Sequence, residues 1–498
     1  HTCGDSYSIG GIVQTPAGGV NPEFGQEAGR AAFSFGSYTS LAVPCGAPMR
    51  PVLLALVTAA VPLLPAAAAD APRPPNVVVV LADDLGYGDL GCFGSQTIRT
   101  PNLDALARAG AKLTDFSVTH PYCTPTRAAL LTGRHPIRTG MTRVLWPHSQ
   151  DGLDESEVTL AELLKAKGYA TACFGKWHLG STPDRFPTKH GFDEWFGMPW
   201  PNDQDDTHFL TKKNNWNWGP LPLYRGGEVV EKPAKRETLT ERYFAEANRF
   251  IAANKAKPFF VYVPTSMPHL WLAATEKFRG KSKHGLYGDT IEEIDHHVGE
   301  LLATLKKHDL EQNTIVVFFS DNGPVTSHPQ LDPKDPKGSA GPFKLGKGTT
   351  WEGGVRVPCV VRWPGVVPAG TEEKTPTVVM DLFATLAKAA GCPLPKDVPI
   401  DGRDLAPLFA GKPLAADAAL YLYKSETLEA VRLGTWKLKA AEKVKGKEPA
   451  PEWLLFDLST DPGEATDVSE KFPDRVKELR TRMAAWKQSL GTLPKPKV

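Results

Sequence analysis

Two pairs of oxygen donors stand far apart in the chain, each at the end of a long apolar run: Asp83–Asp84 in NVVVVLADDLGYGD and Asp321–Asn322 in NTIVVFFSDNG. Singly, Asp and Asn in such a place form turns. Two pairs, each followed within two positions by Gly and brought to one sheet edge, suit Ca²⁺ or Mg²⁺, which take hard oxygen ligands. Groups able to handle an anion are also present. Lys176 and His178 sit two residues apart in FGKWHLG, where strand alternation points both the same way. His269 lies in MPHL, and Lys347 in the Gly-rich KLGKGTTWEGGVRVP. Each alone reads as a solvated lysine or a structural histidine. Together, beside a cation, they would neutralise a tetrahedral oxyanion and protonate its leaving group.

Cys123 is the harder residue to place. It sits in HPYCTPTRAALLTGRHP, with Pro125 and Arg127 close behind, at the mouth of an expected helix. A disulfide or an inert buried thiol is one reading. A papain-like Cys–His pair is another, but no matching local signature surrounds Cys123. A soft thiolate is also poor coordination chemistry beside a hard cation. An oxygen nucleophile would fit far better, and a cysteine can be converted into one.

The elements that must position these groups are legible in the hydrophobic pattern. NVVVVLA, PFFVYVP and NTIVVFFS are apolar without alternation, as buried strands of a parallel sheet are. TPNLDALARAGAKLTDF and TLAELLKAKGYATACFGK each read as a helix followed by a strand, and GDTIEEIDHHVGELLATLKKHDL as a long helix. Strands alternating with helices imply an α/β fold with a large, mainly parallel sheet sandwiched by helices. Ligands in such folds sit beyond the carboxyl ends of the strands, where the acids, lysines and histidines above fall. Past about Pro407 short alternating segments and a closing helix at Pro473–Leu490 suggest a smaller C-terminal α+β domain with an antiparallel sheet. The expected division is 70–406 for the larger, catalytic domain and 407–498 for the smaller.

Length and charge bound the rest. With 498 residues and 41% hydrophobic content the chain can bury a sizeable core. A formal net charge of +1 leaves no footprint for nucleic acid, so anion recognition must be local. Residues 1–48 contain no Met and read as a non-native upstream extension. Met49 opens MRPVLLALVTAAVPLLPAAAAD, which has the anatomy of a signal peptide cleaved near Ala69. Its apolar stretch is too short to span a bilayer. The expected localisation is therefore exported, periplasmic or extracellular. Of seven cysteines, Cys92, Cys123, Cys173, Cys359 and Cys392 follow this segment. Five is odd, so at least one is unpaired.

Cys-Thr-Pro-Thr-Arg at 123–127, continuing as AALLTGRHPIRTG, resembles the type I sulfatase signature Cys-X-Pro-X-Arg. LADDLGYGDLGCFG, GKWHLG, FFSDNG, GKGTTWEGGVRVP and LFDLSTDPGEATDV look like sulfatase segments too, and the resemblance runs from about Pro75 to Leu490. It implies the alkaline phosphatase superfamily fold and oxidation of Cys123 by a formylglycine-generating enzyme to Cα-formylglycine. By the same resemblance Asp83, Asp84, Asp321 and Asn322 hold one Ca²⁺, which also touches the hydrated aldehyde at position 123. A hydrate oxygen attacks sulfur. Arg127 and Lys176 hold the hydrate, and His269 and Lys347, with Lys176, bind the sulfate. His269 or Lys347 protonates the departing alcohol, and His178 takes the proton that lets sulfate leave.

The substrate implied is a sulfated small molecule or glycan. In FDEWFGMPWPNDQDDTHF, Asp203 is a candidate to face it. Trp195, Trp200, Trp216 and Trp218 would stack on a sugar or aryl ring, or else anchor a long loop. A phosphatase or phosphonate monoester hydrolase of the same superfamily is the first alternative. Such enzymes commonly hold two transition metals with added His ligands, where this chain has Asn322. A non-catalytic binder of sulfated glycans is the second. The oligomeric state is open.

Overall fold

A computed structural model describes residues 73–326, 336–414, 418–441 and 452–497. The upstream extension and signal segment expected at 1–69 lie outside the described residues. The described residues form one compact unit.

Its centre is a ten-stranded sheet in the order β11-β2-β10-β9-β1-β8-β4-β5-β6-β7. The strands are β1 (Asn76–Ala82), β2 (Ala111–Leu113), β4 (Ala170–Lys176), β5 (Glu194–Met198), β6 (Leu223–Arg225) and β7 (Glu228–Glu231). β8 (Phe259–Pro264), β9 (Thr314–Ser320), β10 (Cys359–Arg362) and β11 (Thr371–Glu373) complete it. β3 (Phe116–Ser117) and β12 (Thr377–Val378) pair separately. The run β9-β1-β8-β4-β5 is parallel, whereas β10, β6 and β7 pair with their neighbours antiparallel.

β1 explains the valine run. Val77, Val79 and Leu81 enter one core, Val78, Val80 and Ala82 the other. A strand covered on both faces has no polar side to alternate with. Helices Pro101–Arg108, Leu239–Ala253 and Gly285–Lys307 cover the second face. Helices Cys123–Thr132, Leu160–Ala166 and Val379–Ala389 cover the first.

Near the C-terminus, β13 (Leu420–Lys424), β14 (Thr427–Leu433), β15 (Trp436–Ala440) and β16 (Trp453–Asp457) form an antiparallel sheet. Leu479 and Met483 of helix Pro473–Ser489 pack on its Val431, Leu438 and Leu455. Buried charges tie this sheet to the larger part. Lys437 Nζ lies 2.8 Å from Glu352 Oε1 and from Glu464 Oε1. Arg432 of β14 pairs with Asp115.

No disulfide forms among the described cysteines. Cys173 on β4 and Cys359 on β10 are four strand positions apart, roughly 19 Å at ~4.8 Å per strand, and cannot be bridged.

Candidate active site

Register brings the two acidic pairs together. β1 and β9 are adjacent and parallel, with Ala82 opposite Ser320. Asp83 and Asp84 therefore leave the sheet beside Asp321 and Asn322, all four at most 1% exposed. Asp84 turns back with φ 66°. Its N–H donates to Asp321 Oδ1 at 3.2 Å, and Asn322 Nδ2 donates to Asp84 Oδ1 at 2.7 Å.

Three cations from three other segments close on these acids. Arg127, on the helix that Cys123 begins, donates to Asp321 Oδ2 through Nε (3.1 Å) and Nη2 (2.8 Å). Its Nη1 donates to Lys176 O at 2.6 Å, fixing the end of β4. Lys176 Nζ donates to Asp83 Oδ2 at 2.5 Å. Lys347 Nζ is 2.7 Å from both Asp84 oxygens and 3.7 Å from Cys123 Sγ.

The Lys347 turn reaches that place through close backbone packing. A Cβ on Gly346 would stand 2.3 Å from Pro324 O, and one on Gly323 1.8 Å from Gly353 O. Lys347 N donates to Pro324 O and Gly348 N to Pro121 O, tying the turn to both the β9 end and the Cys123 segment.

The electrostatics follow. Burial works to raise the Asp83 carboxyl, but Lys176, His269, Arg127 and Lys347 outweigh it and hold it well below the ordinary carboxylate range. Asp321 goes the other way, to about 6, through burial and the charge of Asp83 against Arg127 and Lys176. Burial lifts the Cys123 thiol, helped by Asp83 and opposed by Lys176 and Lys347. As a thiol it is no nucleophile at neutral pH. His178 is driven well below its usual value by burial and then by Lys176 and Arg127, so its ring is neutral. Its Nε2 lies 3.1 Å from Leu145 O, which accepts the N–H and leaves Nδ1 as a buried lone pair without a partner.

The donor set fits a hard cation. Asp83 Oδ1 and Asn322 Oδ1 are buried and accept no hydrogen bond. Buried oxygens are rarely left so unless an ion or water completes them. Asp83, Asp84, Cys123 and His269 offer atoms within 4.8 Å of one another. Over them opens a cavity of about 350 Å³, lined by Cys123, His178, Asp203, His269 and Lys347 among others.

The comparisons decide the family. Residues 75–392 match the family model described as Sulfatase, and 344–489 match the one described as N-sulphoglucosamine sulphohydrolase, C-terminal. The chain belongs to the sulfatase family. It is 37% identical to a steryl-sulfatase of Mus musculus, over 86% of this chain and 85% of that one. It is 40% identical to an N-acetylgalactosamine-6-sulfatase of Canis lupus familiaris, over 81% and 83%. Among solved structures, Ps i-CgsB superposes with a TM-score of 0.73 at 32% identity, covering 85% of this chain and 94% of that one. As a sulfatase the protein is a sulfuric ester hydrolase, and the α/β sheet with its smaller antiparallel partner is the fold expected of it.

The two acidic pairs, Arg127, Lys176, Lys347, Cys123, His178, Asp203 and His269 gather around one cavity, though not always by the geometry expected of them, and Trp195 does not join them. Lys176 is the last residue of β4, and His178 lies beyond it in a left-handed turn (φ 60°), so strand alternation does not align them. His269 comes five residues past the end of β8; its Nε2 is 3.6 Å from Asp84 Oδ2 and its Nδ1 3.8 Å from Asp203 Oδ1. Trp195 is an anchor rather than a stacking platform: it is 1% exposed, inside the core, and stacked on Tyr224 at 5.5 Å. Trp216 and Trp218 instead stand beside Trp146, which lines the cavity. Trp146, Gln204 and His208 escaped sequence reasoning. Gln204 and His208 fall in the flagged segment DQDDTH, but Trp146 carries no periodic or motif signal.

Proposed function

We propose that this sulfatase works through Cys123 oxidised to Cα-formylglycine, with one Ca²⁺ held by Asp83, Asp84, Asp321 and Asn322. The observation that carries the reading is the charge-paired cluster around a thiol too basic to act as itself. A hydrated aldehyde at position 123 supplies an oxygen nucleophile, and a bound Ca²⁺ supplies positive charge for the developing oxyanion.

This chain's residues do the rest. Asp83, Asp84 and Asp321 are matched by Arg127, Lys176 and Lys347, so a divalent cation would leave the site net positive, as an anionic sulfate ester requires. Arg127 and Lys176 orient the nucleophile. Lys347, beside Cys123, and His269, at the cavity wall, bind the sulfate, and one of them passes a proton to the departing alcohol. His178 is supported as the base by its neutral ring and its unpartnered Nδ1. Asp203 meets the alcohol portion.

The substrate is an aryl or carbohydrate sulfate ester. No helix among the described residues is long and apolar enough to cross a membrane. The leader-like pattern at Met49–Ala69 supports export, and the 123–127 signature supports maturation by a formylglycine-generating enzyme. We read 70–406 as the catalytic domain and 407–498 as its smaller partner.

The test is the mass of the tryptic peptide Leu113–Arg127 from protein made alongside a formylglycine-generating enzyme. Sulfur lost from Cys123 and an aldehyde gained is the expected result. An intact thiol, with a control sulfatase modified in the same cells, would overturn the reading at its first step.

A further inference from the structure

The cavity over Cys123 has linings of two kinds. Its apolar lining includes Val144, Leu270, Val325 and the Trp146 ring. Trp146 is held in place: its ring stacks on Trp218 at 5.5 Å and 19°, and Trp218 Nε1 donates to His148 Nδ1 at 3.1 Å. Trp216 extends the stack, 5.4 Å from Trp218. Its polar lining includes Asp203 and Gln204, only 7% and 3% exposed, with His208 and His269 beside Asp203 at 3.6 and 3.8 Å. Asp203 Oδ1 and Gln204 Oε1 accept no hydrogen bond from the protein. Unfilled buried acceptors are costly, and a binding site is where such a cost is relieved by the ligand.

We propose that the substrate is a neutral sugar carrying one sulfate, whose ring lies on Trp146 and whose hydroxyl groups donate to Asp203 and Gln204. The inference rests on the sulfatase reading and adds the alcohol to it. A pyranose has both features that the lining asks for, an apolar ring face and several O–H donors on its edge. A steroid or plain aryl ester covers the indole but leaves both acceptors without donors. A site built to bond a hydroxyl discriminates strongly against a ligand lacking it. A uronate or second sulfate would bring negative charge against Asp203. At about 350 Å³ the cavity is near the small end of ligand sites, which suits one terminal ring.

The experiment uses the full chain with the aldehyde at position 123 proven by mass. kcat/KM is measured on 4-nitrophenyl sulfate, on neutral hexoses and N-acetylhexosamines bearing one sulfate at C3, C4 or C6, and on disulfated and uronate-containing disaccharides. At least one neutral monosulfate is expected to exceed 4-nitrophenyl sulfate by about tenfold or more. Gln204→Leu should reduce that sugar-to-aryl ratio by about tenfold, and Asp203→Asn, which preserves shape, should lower it in the same direction. Aryl turnover equal to or above every sugar, or a best substrate that is a uronate or disulfate, sinks this inference and leaves the sulfatase chemistry standing. So does a ratio unchanged in both variants. No turnover of any ester by aldehyde-bearing protein brings down the proposed chemistry, and the sugar assignment with it.

Discussion

Lys437 is a fully buried ammonium on β15, and its removal is the perturbation we develop first. Its Nζ donates to Thr350 O and to Glu352 Oε1, each at 2.8 Å, and lies 2.8 Å from Glu464 Oε1. All three charged side chains are at most 1% exposed. Burial alone would raise Glu352, yet Arg356, Lys437 and Arg432 hold it far below the ordinary range. Glu464, where burial prevails over Lys437, is raised. Lys437→Met keeps the apolar stem and deletes the charge. Stripping one partner from a buried ion pair costs about 3–5 kcal/mol, because the other charge stays behind. At ~2.1 cal/mol/K per residue over roughly 430 residues, the unfolding entropy is about 0.9 kcal/mol/K, so Tm should fall by about 3–6 °C.

Calorimetry at pH 7 measures this directly. Adding Glu464→Gln to Lys437→Met should recover at least half the loss, since the orphaned charge and not the missing contact is the main cost. The deficit should also shrink as pH falls toward 5 and the stranded carboxyl takes up a proton. A Lys437→Met protein melting within 1 °C of the parent (well below the ~3 °C minimum above) would refute the argument. So would a double variant no more stable than the single one.

Cys123→Ala should lose turnover of 4-nitrophenyl sulfate by at least about a thousandfold while shifting Tm by little, because it deletes the precursor of the nucleophile and only one buried side-chain heavy atom; kinetics and a melting curve on one preparation check both halves. Chelation with EGTA should abolish activity and Ca²⁺ restore it. Ca²⁺ at about 100 times its Kd should add about 2.7 kcal/mol, or ~3 °C in Tm, and Asn322→Ala should weaken that shift. Glu293 concerns pH. Burial lifts its carboxyl to about 7 against the hydrogen bonds from Thr275. The folded value exceeds the unfolded one near 4.5, so this contribution is complete below about pH 4.5 and is lost as pH rises through 7, a swing of about 3 kcal/mol. Glu293→Gln should therefore out-melt the parent at pH 8 and lose its advantage at pH 5.

The sheet was legible because a strand buried on both faces must be apolar throughout, and β1, β8 and β9 announce themselves that way. The two acidic pairs were legible for the same reason, standing where those runs stop. Their adjacency was not. It depends on β1 pairing with β9 in the register Ala82–Ser320, a contact across 238 residues that no local pattern encodes. His178 reaches the cavity by a different geometry from the one its spacing suggests, because its left-handed turn overrides the period-two rule that holds inside the strand. Trp195 and Trp146 mark the limit. Both are large aromatic residues in irregular company, and only tertiary contact separates the one stacked inside the core from the one facing the cavity. The Lys347 turn depends on contacts from several distant parts of the chain. It approaches Asp84 because Gly323 and Gly346 admit backbone against backbone. The Thr350–Arg356 segment that follows it is clamped by Arg432 and Lys437 of the C-terminal sheet. The smaller sheet is thus part of what places a candidate sulfate-binding ammonium, and a perturbation there should be felt at the site as well as in the melting temperature.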